Sequence, residues 1–394
     1  MKRRLLFHTI VKQLQHKNAL VITGMRQVGK TTLMKQLYDE WTGPKLWFDF
    51  DNPLDMMVFE NPDYRAIFEN LRIKAGVSKS ERILVCIDEI QNMPEITRII
   101  KFLIDHSGVK FILTGSSNFY LRNLFPESLS GRKFLYHLPV LSYKEYLYFN
   151  DKLDSEAIEP QTEALVTAKK GAEAYRYREL FDSYLKYGGF PEVAMTPNPE
   201  TKLLVIRNIF SSFFEKGVRV FDEFREVREL RNLILLLVPR NGGLIDVSRL
   251  SAELGVNRVK IYSYLELLEG TFFLKLLPRF TGSIDRQVAG GKKVYFADTG
   301  LLNLAGNVTD GQLLEVAVYN ALMSYGQLSF YNKRNTAELD FILNGETGFE
   351  VKQTATPHDL VRVRKLGSAL GLKQTRLISG NITDLEDVIY PWHL

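Results

Sequence analysis

Short apolar runs recur between helix-patterned stretches in the first third of the chain. Ala19 to Thr23, Lys45 to Asp49, Ile83 to Ile87 and Lys110 to Thr114 are each too short for a helix, and the segments between them carry helical periodicity. That alternation predicts an α/β core built on a parallel sheet buried on both faces. From Asp151 to Ala174 the chain turns polar and loses its aromatics, as an insertion or linker does. Helical patterns resume at Tyr175 to Lys186 and Thr201 to Val238. Beyond them Val247 to Leu254 is amphipathic, Gly255 to Asn257 is a tight turn, and Arg258 to Glu269 sets Ile261, Tyr264, Leu265 and Leu268 on one helical face. The apolar run Thr271 to Leu277 follows as a candidate wing. From Gly311 the pattern reads helix, three strands, helix, strand, with no internal repeat or low-complexity tract anywhere.

Composition narrows this picture. A chain of 394 residues exceeds one ordinary core, so two to four domains are expected. With 45% hydrophobic and 25% charged residues, and 25 Phe, 18 Tyr and 3 Trp, a mostly disordered chain is excluded. The net charge of +5 permits nucleic-acid contact without requiring it. The single cysteine, Cys86, lies in an apolar run, which rules out an intrachain disulfide and fits a reducing compartment. Val316 to Asn332 is the longest uncharged stretch, but Asn320, Ser324, Gly326 and Gln327 make it too polar for a membrane span. Lys2, Arg3 and Arg4 imitate a signal-peptide start, yet Lys12, Gln13, Gln15 and Lys17 interrupt the apolar region that should follow. A cytoplasmic location without membrane contact is the expectation.

The strongest chemical signal is GxxxxGK[ST] at Gly24, Gly29, Lys30 and Thr31, between the strand Ala19 to Thr23 and a helix continuing from Thr32. Backbone N–H groups of Gly24, Gln27, Val28, Gly29 and the first helical residues to Thr32 would wrap the phosphates of ATP. Lys30 would reach the terminal phosphates, and the Thr31 hydroxyl would meet Mg²⁺. The strand Ile83 to Asp88 ends in two acids, placing Asp88 beside the metal and Glu89 beside the attacking water. Lys110 to Thr114 runs into Gly115, Ser116, Ser117 and Asn118; Ser116 is a candidate γ-phosphate contact, and a locally hydrogen-bonded turn explains the same residues. Arg132 is either a surface arginine or a group that stabilises transition-state charge, in cis or across a subunit boundary.

Gly24 to Thr32, the Asp88, Glu89, Ile90, Gln91 series, Thr114 to Ser117 and Leu129 to Arg132 together resemble prokaryotic AAA-type P-loop ATPases that carry a C-terminal DUF4143 region. The resemblance extends over nearly the whole chain. Through it, Tyr187, Gly188, Gly189, Phe190 and Pro191 are similar to a glycine-proline element whose proline lies near the adenine, while a helix-ending Gly-Gly before Pro explains the same residues structurally. The helix-turn-helix at 247–269 resembles the family's winged helix. Asn257 would cap its second helix and expose Arg258 and Lys260 to DNA, whereas Glu266 and Glu269 favour a packing or relay module.

At the C-terminal end, Ala337 to Leu343 alternates so that Glu338 and Asp340 leave the face of Leu339, Phe341 and Leu343. A turn at Asn344 to Gly348 returns the chain along Phe349 to Gln353, bringing Glu350 and Lys352 toward Asp340. Asp340 and Glu350 would hold Mg²⁺, Lys352 would stabilise charge on a scissile phosphate, and Glu315 on the preceding helix would add a further acid. This order resembles the PD-(D/E)XK nuclease core; a salt-bridged hairpin yields the same residue types.

The expected organisation is a P-loop core over 1–150, a linker and helical lid over 151–240, a winged helix over 241–283, and an α/β restriction-endonuclease-like domain over 284–394. The function this points to is an ATP-binding and ATP-hydrolysing switch acting with a nuclease-like region, with DNA, a protein partner or a second copy of the chain as partners. Two alternatives stand beside it: an ATP-licensed, magnesium-dependent DNA endonuclease, and a nucleotide-binding scaffold with negligible hydrolysis.

Overall fold

The computed structural model describes residues 1–77, 81–116, 129, 131–159, 171–217, 224–281, 290–333 and 337–394. Ser117, Asn118 and Ser130 lie outside them. The chain forms two compact units, Met1–Pro139 with Gly270–Phe272, and Val140–Glu269 with Phe273–Leu394.

In the first unit five parallel strands, β1 (Ala19–Thr23), β2 (Lys45–Asp49), β3 (Leu84–Asp88), β4 (Lys110–Gly115) and β5 (Lys133–His137), lie in the order β2-β3-β4-β1-β5. Every residue of β1, β3 and β4 is buried, because these three are central and covered on both faces; β2 and β5 sit at the edges and are only partly covered. On one face the helix Ile96–Ser107 buries Ile96, Ile99, Ile100 and Leu103 at helical spacing, packing into a core with Phe48, Phe50, Phe59, Val85 and Ile87. Lys110 opens a wholly buried strand, and its ammonium is satisfied by the carbonyls of Gln13, His16 and Asn18 at 3.2, 2.8 and 2.7 Å. Arg82 donates to the carbonyls of Gln15 and His16, so two cations fasten the segment that leads into β1.

The second unit begins with helices, among them Arg178–Tyr187, Pro191–Met195, Pro199–Gly217 and Phe224–Leu237. Val247–Leu254 and Arg258–Gly270 follow as a helix pair whose connection turns at Gly255 in the left-handed region, φ +71°. The apolar run after them supplies one strand only, β6 (Leu274–Leu277), whose antiparallel partner is β7 (Lys293–Phe296). A second sheet has the order β12-β11-β10-β9-β8, formed by β8 (Leu328–Lys333), β9 (Ala337–Leu343), β10 (Thr347–Lys352), β11 (Gln374–Ser379) and β12 (Val388–Ile389). Its β8, β9 and β10 are antiparallel neighbours, and β10, β11 and β12 are parallel ones. The helices Asp310–Leu322 and Pro357–Leu370 pack on it, each started by a capping box, Thr309 with Gln312 and Thr356 with Asp359. Both faces of β9 are therefore covered: Asp340 does leave the side of Leu339 and Phe341, but it arrives in a second buried layer instead of solvent. Among the described residues no helix is long and apolar enough to cross a membrane.

Candidate functional site

The loop after β1 needs three residues at positive φ: Gly24 (+154°), Gln27 (+65°) and Gly29 (+96°). At Gly24 a Cβ would stand 2.2 Å from the Leu138 carbonyl oxygen, so no side chain fits; at Gly29 the space is open and only the backbone angle favours glycine. Gly29 caps the helix Lys30–Glu40, where Leu33 N–H is bonded to the Gly29 carbonyl. The amides ahead of it, Lys30 to Thr32, stand in the helix's first turn with no intrahelical acceptor, which makes this end an anion site. The buried Val28 anchors the loop by accepting 2.9 Å from Arg4 Nη1, while Arg4 Nη2 donates to the Pro139 carbonyl at 2.8 Å. Arg4 is thus a loop-positioning residue, although its sequence context only resembles a basic leader.

Lys30 is buried, and its Nζ donates to the Met25 carbonyl at 2.8 Å. Burial lowers its pKa to about 8, against the opposing pull of Glu89 and Asp88. The Thr31 hydroxyl donates 2.6 Å to Asp88 Oδ2, and the Thr114 hydroxyl donates to Asp88 Oδ1. Burial raises the Asp88 pKa, and the two hydroxyl donors act in the opposite direction. Glu89 sits at φ +54°, a costly angle for a side-chain-bearing residue, and its N–H donates 3.2 Å to Thr114 Oγ1. The Gln91 amide donates both to Glu89 Oε2 and, at 3.2 Å, to Ser116 Oγ, tying the two acids and Ser116 into one cluster. Thr114 and Gln91 were not singled out as site residues in the sequence; the signal for each was a polar side chain beside the acidic strand end.

A desolvated ammonium, a loop of left-handed backbone and a hydroxyl-carboxylate pair fit a magnesium nucleotide. The structure does not bring Arg132 to this cluster in cis. Arg132 immediately precedes β5, where its carbonyl accepts from Ala19 N–H at the start of β1, and its Nε donates 2.6 Å to Asp105. A five-residue strand, about 16 Å long, separates that edge from the loop. Pro191 belongs to the second unit, as the first residue of the helix Pro191–Met195 after the buried Phe190.

In the second unit the recorded pairing of β9 and β10 ends at Phe341 with Phe349, so strand alternation sets Asp340 and Glu350 on the same face. Asp340 Oδ2 accepts the Val351 N–H at 2.9 Å, and Lys293 Nζ lies 3.3 Å from Asp340 Oδ1 and 2.6 Å from Glu338 Oε1. Glu350 Oε1 pairs with Lys352 at 2.8 Å and with Arg362, while its Oε2 is buried without a hydrogen-bond partner. Glu315 Oε2 accepts 3.2 Å from the Tyr295 hydroxyl; burial, followed by the Asp340 charge, pushes its carboxyl up to about 8. The expected metal set Glu315, Asp340 and Glu350 is therefore not assembled: among the described residues no group of three or more His, Cys, Asp or Glu side chains is placed to hold an ion. As they stand these residues do not fit Mg²⁺, which requires near-octahedral oxygen ligands: Lys293 faces Asp340 Oδ1, Lys352 and Arg362 take Glu350 Oε1, and the Tyr295 hydroxyl donates to Glu315 Oε2.

The parallel sheet, the phosphate loop after β1 and the acids ending β3 define a P-loop nucleotide-binding domain. Residues 16–147 match a family model described as an AAA domain, which supports an AAA-type P-loop ATPase domain in this segment. Residues 178–312 match a different model, described as a domain of unknown function (DUF8612), in place of the expected DUF4143 region. The uncharacterized protein MJ1544 of Methanocaldococcus jannaschii is 26% identical over 341 residues, 83% of this chain and 72% of its own. An uncharacterized protein of Haemophilus influenzae is 27% identical over 336 residues, 82% of this chain and 78% of its own. The Walker-type ATPase paby2304 of Pyrococcus abyssi superposes with a TM-score of 0.49 at 15% identity, covering 77% of this chain and 95% of that one.

Proposed function

We propose that the chain is an ATP-hydrolysing conformational switch whose second unit carries a winged-helix-like and a nuclease-like region. The observation that supports it most directly is the shared cluster of Lys30, Thr31, Asp88, Thr114, Glu89, Gln91 and Ser116 at the carboxyl edge of the parallel sheet. ATP supplies a phosphoanhydride to be cleaved, and Mg²⁺ neutralises its charge. In this reading Lys30 and the amides to Thr32 hold the phosphates, and Thr31 and Asp88 hold the metal. Glu89 accepts the proton of the attacking water, and Ser116 senses the terminal phosphate. Gln91 holds the Glu89 carboxylate in its resting position. Arg132 acts on phosphate from one copy of the chain onto another.

For the helix Arg258–Gly270 the packing or relay reading has the better support. Lys260 is engaged by Glu229 at 2.7 Å and Glu226 at 3.2 Å, pulling Glu229 down to about 2, so it is not offered to a DNA phosphate. Beside the exposed Arg258, Val259 is 73% and Tyr262 61% exposed, a surface better suited to a protein partner than to a polyanion. Steady-state ATP turnover, measured with and without duplex DNA, tests the proposal. Glu89→Gln should bind ATP as the wild type does and lose turnover; normal turnover by that variant would remove Glu89 from the mechanism.

A further inference from the structure

The acidic pocket of the second unit already contains a cation, and it belongs to the chain. Lys293 is only 3% exposed, and its ammonium faces Glu338, Asp340 and, at 5.5 Å, the ring of Phe330. It is delivered by β7, which is paired along its length with β6 and bridged to Leu244, so its backbone is fixed beside the two carboxylates. An ion bound roughly 2.0–2.1 Å from Asp340 Oδ1 would need the space in front of the oxygen that Lys293 faces. Three carboxylates, Glu338, Asp340 and Glu350, meet three cations, Lys293, Lys352 and Arg362. Glu315 takes its hydrogen bond from Tyr295. Each of those three carboxylates is thus matched by a protein cation, and one buried oxygen, Glu350 Oε2, on a residue 2% exposed, has no hydrogen-bond partner.

We infer that Lys293 is a tethered substitute for a divalent cation, closing the nuclease-like pocket to metal, and that removing its ammonium converts the pocket into a divalent-metal site built on Asp340 and Glu350. The inference concerns the second unit alone and stands whether or not the first unit hydrolyses ATP. A buried lysine held by two carboxylates does what a bound ion would do for their repulsion, without the open coordination positions that activate water. The alternative of an ATP-licensed, magnesium-dependent endonuclease then requires the Lys293 ammonium to withdraw from Asp340.

Mn²⁺ binding to the full-length, nucleotide-free protein tests this. Wild type should bind no Mn²⁺ that Asp340→Asn removes. Lys293→Ala should gain one equivalent, held at least tenfold more tightly than any site in the wild type, and should be stabilised against heat by Mn²⁺; adding Asp340→Asn should cancel both gains. Lys293→Gln, which keeps most of the stem, serves as the second variant should Lys293→Ala fold poorly. Mn²⁺ bound by wild type and lost in Asp340→Asn would overturn the inference. So would a folded Lys293 variant that binds no more Mn²⁺ than wild type.

Discussion

Lys30 is a charged group kept in a nearly dry position, 5% exposed, and that has a measurable cost. Its pKa falls from 10.5 to about 8 on folding. At pH 7 this corresponds to roughly 3 kcal/mol of destabilisation, at 1.36 kcal/mol per pH unit. Between about 8 and 10.5 the unfolded chain binds the proton that the folded one has lost, so stability rises with pH across that window. Lys30→Met removes the charge and keeps the stem. It also forfeits the bond to the Met25 carbonyl, worth about 1 kcal/mol. The nucleotide-free variant should therefore be about 2 kcal/mol more stable than wild type at pH 7, while losing tight ATP binding. Near pH 9.5 the charge penalty in wild type has dropped to about 1.4 kcal/mol, so the gap between the two proteins should close by about 2 kcal/mol. Urea denaturation at the two pH values, followed through the transition of the first unit, reads this directly. Parallel pH profiles for wild type and variant would refute the reasoning, because the pH-dependent part does not involve the lost hydrogen bond.

The two glycines of the phosphate loop should separate. Gly24→Ala, whose methyl would meet the Leu138 carbonyl at 2.2 Å, should abolish ATP binding and lower stability, whereas Gly29→Ala should cost only about 1–2 kcal/mol for its left-handed angle; equal effects in a paired binding and melting experiment would contradict the packing described. Lys260→Ala should lower the melting temperature by leaving Glu229, 7% exposed, without its ammonium. It should leave DNA affinity and its salt slope untouched; a slope reduced by about one counterion would return Lys260 to the DNA-facing reading.

The strand-loop-helix that carries Gly24, Gly29, Lys30 and Thr31 was legible in the residues because its pattern is local, set by glycines and an apolar run within a few positions of one another. Strands β1 to β4 and the late series of helix, three strands, helix, strand were likewise readable, since buried parallel strands are continuously apolar and hairpins announce their turns. Strand β5 was missed because an edge strand with partial burial, Lys133–His137, carries no such signature. What tertiary structure decided is where charges meet. Arg132 lies a few residues before β5 ends beside the phosphate loop, yet the parallel pairing with β1 leaves it at the opposite edge of the sheet. Arg4 reaches Val28 across 24 positions. Lys293 reaches Asp340 across 47, filling a pocket that Asp340, Glu350 and Lys352 alone made look like a metal site. Sequence spacing reports which side chains share a strand or a helix face; the energy of a buried charge depends on every group within a few ångström of it, and those groups come from segments that only the folded chain brings together.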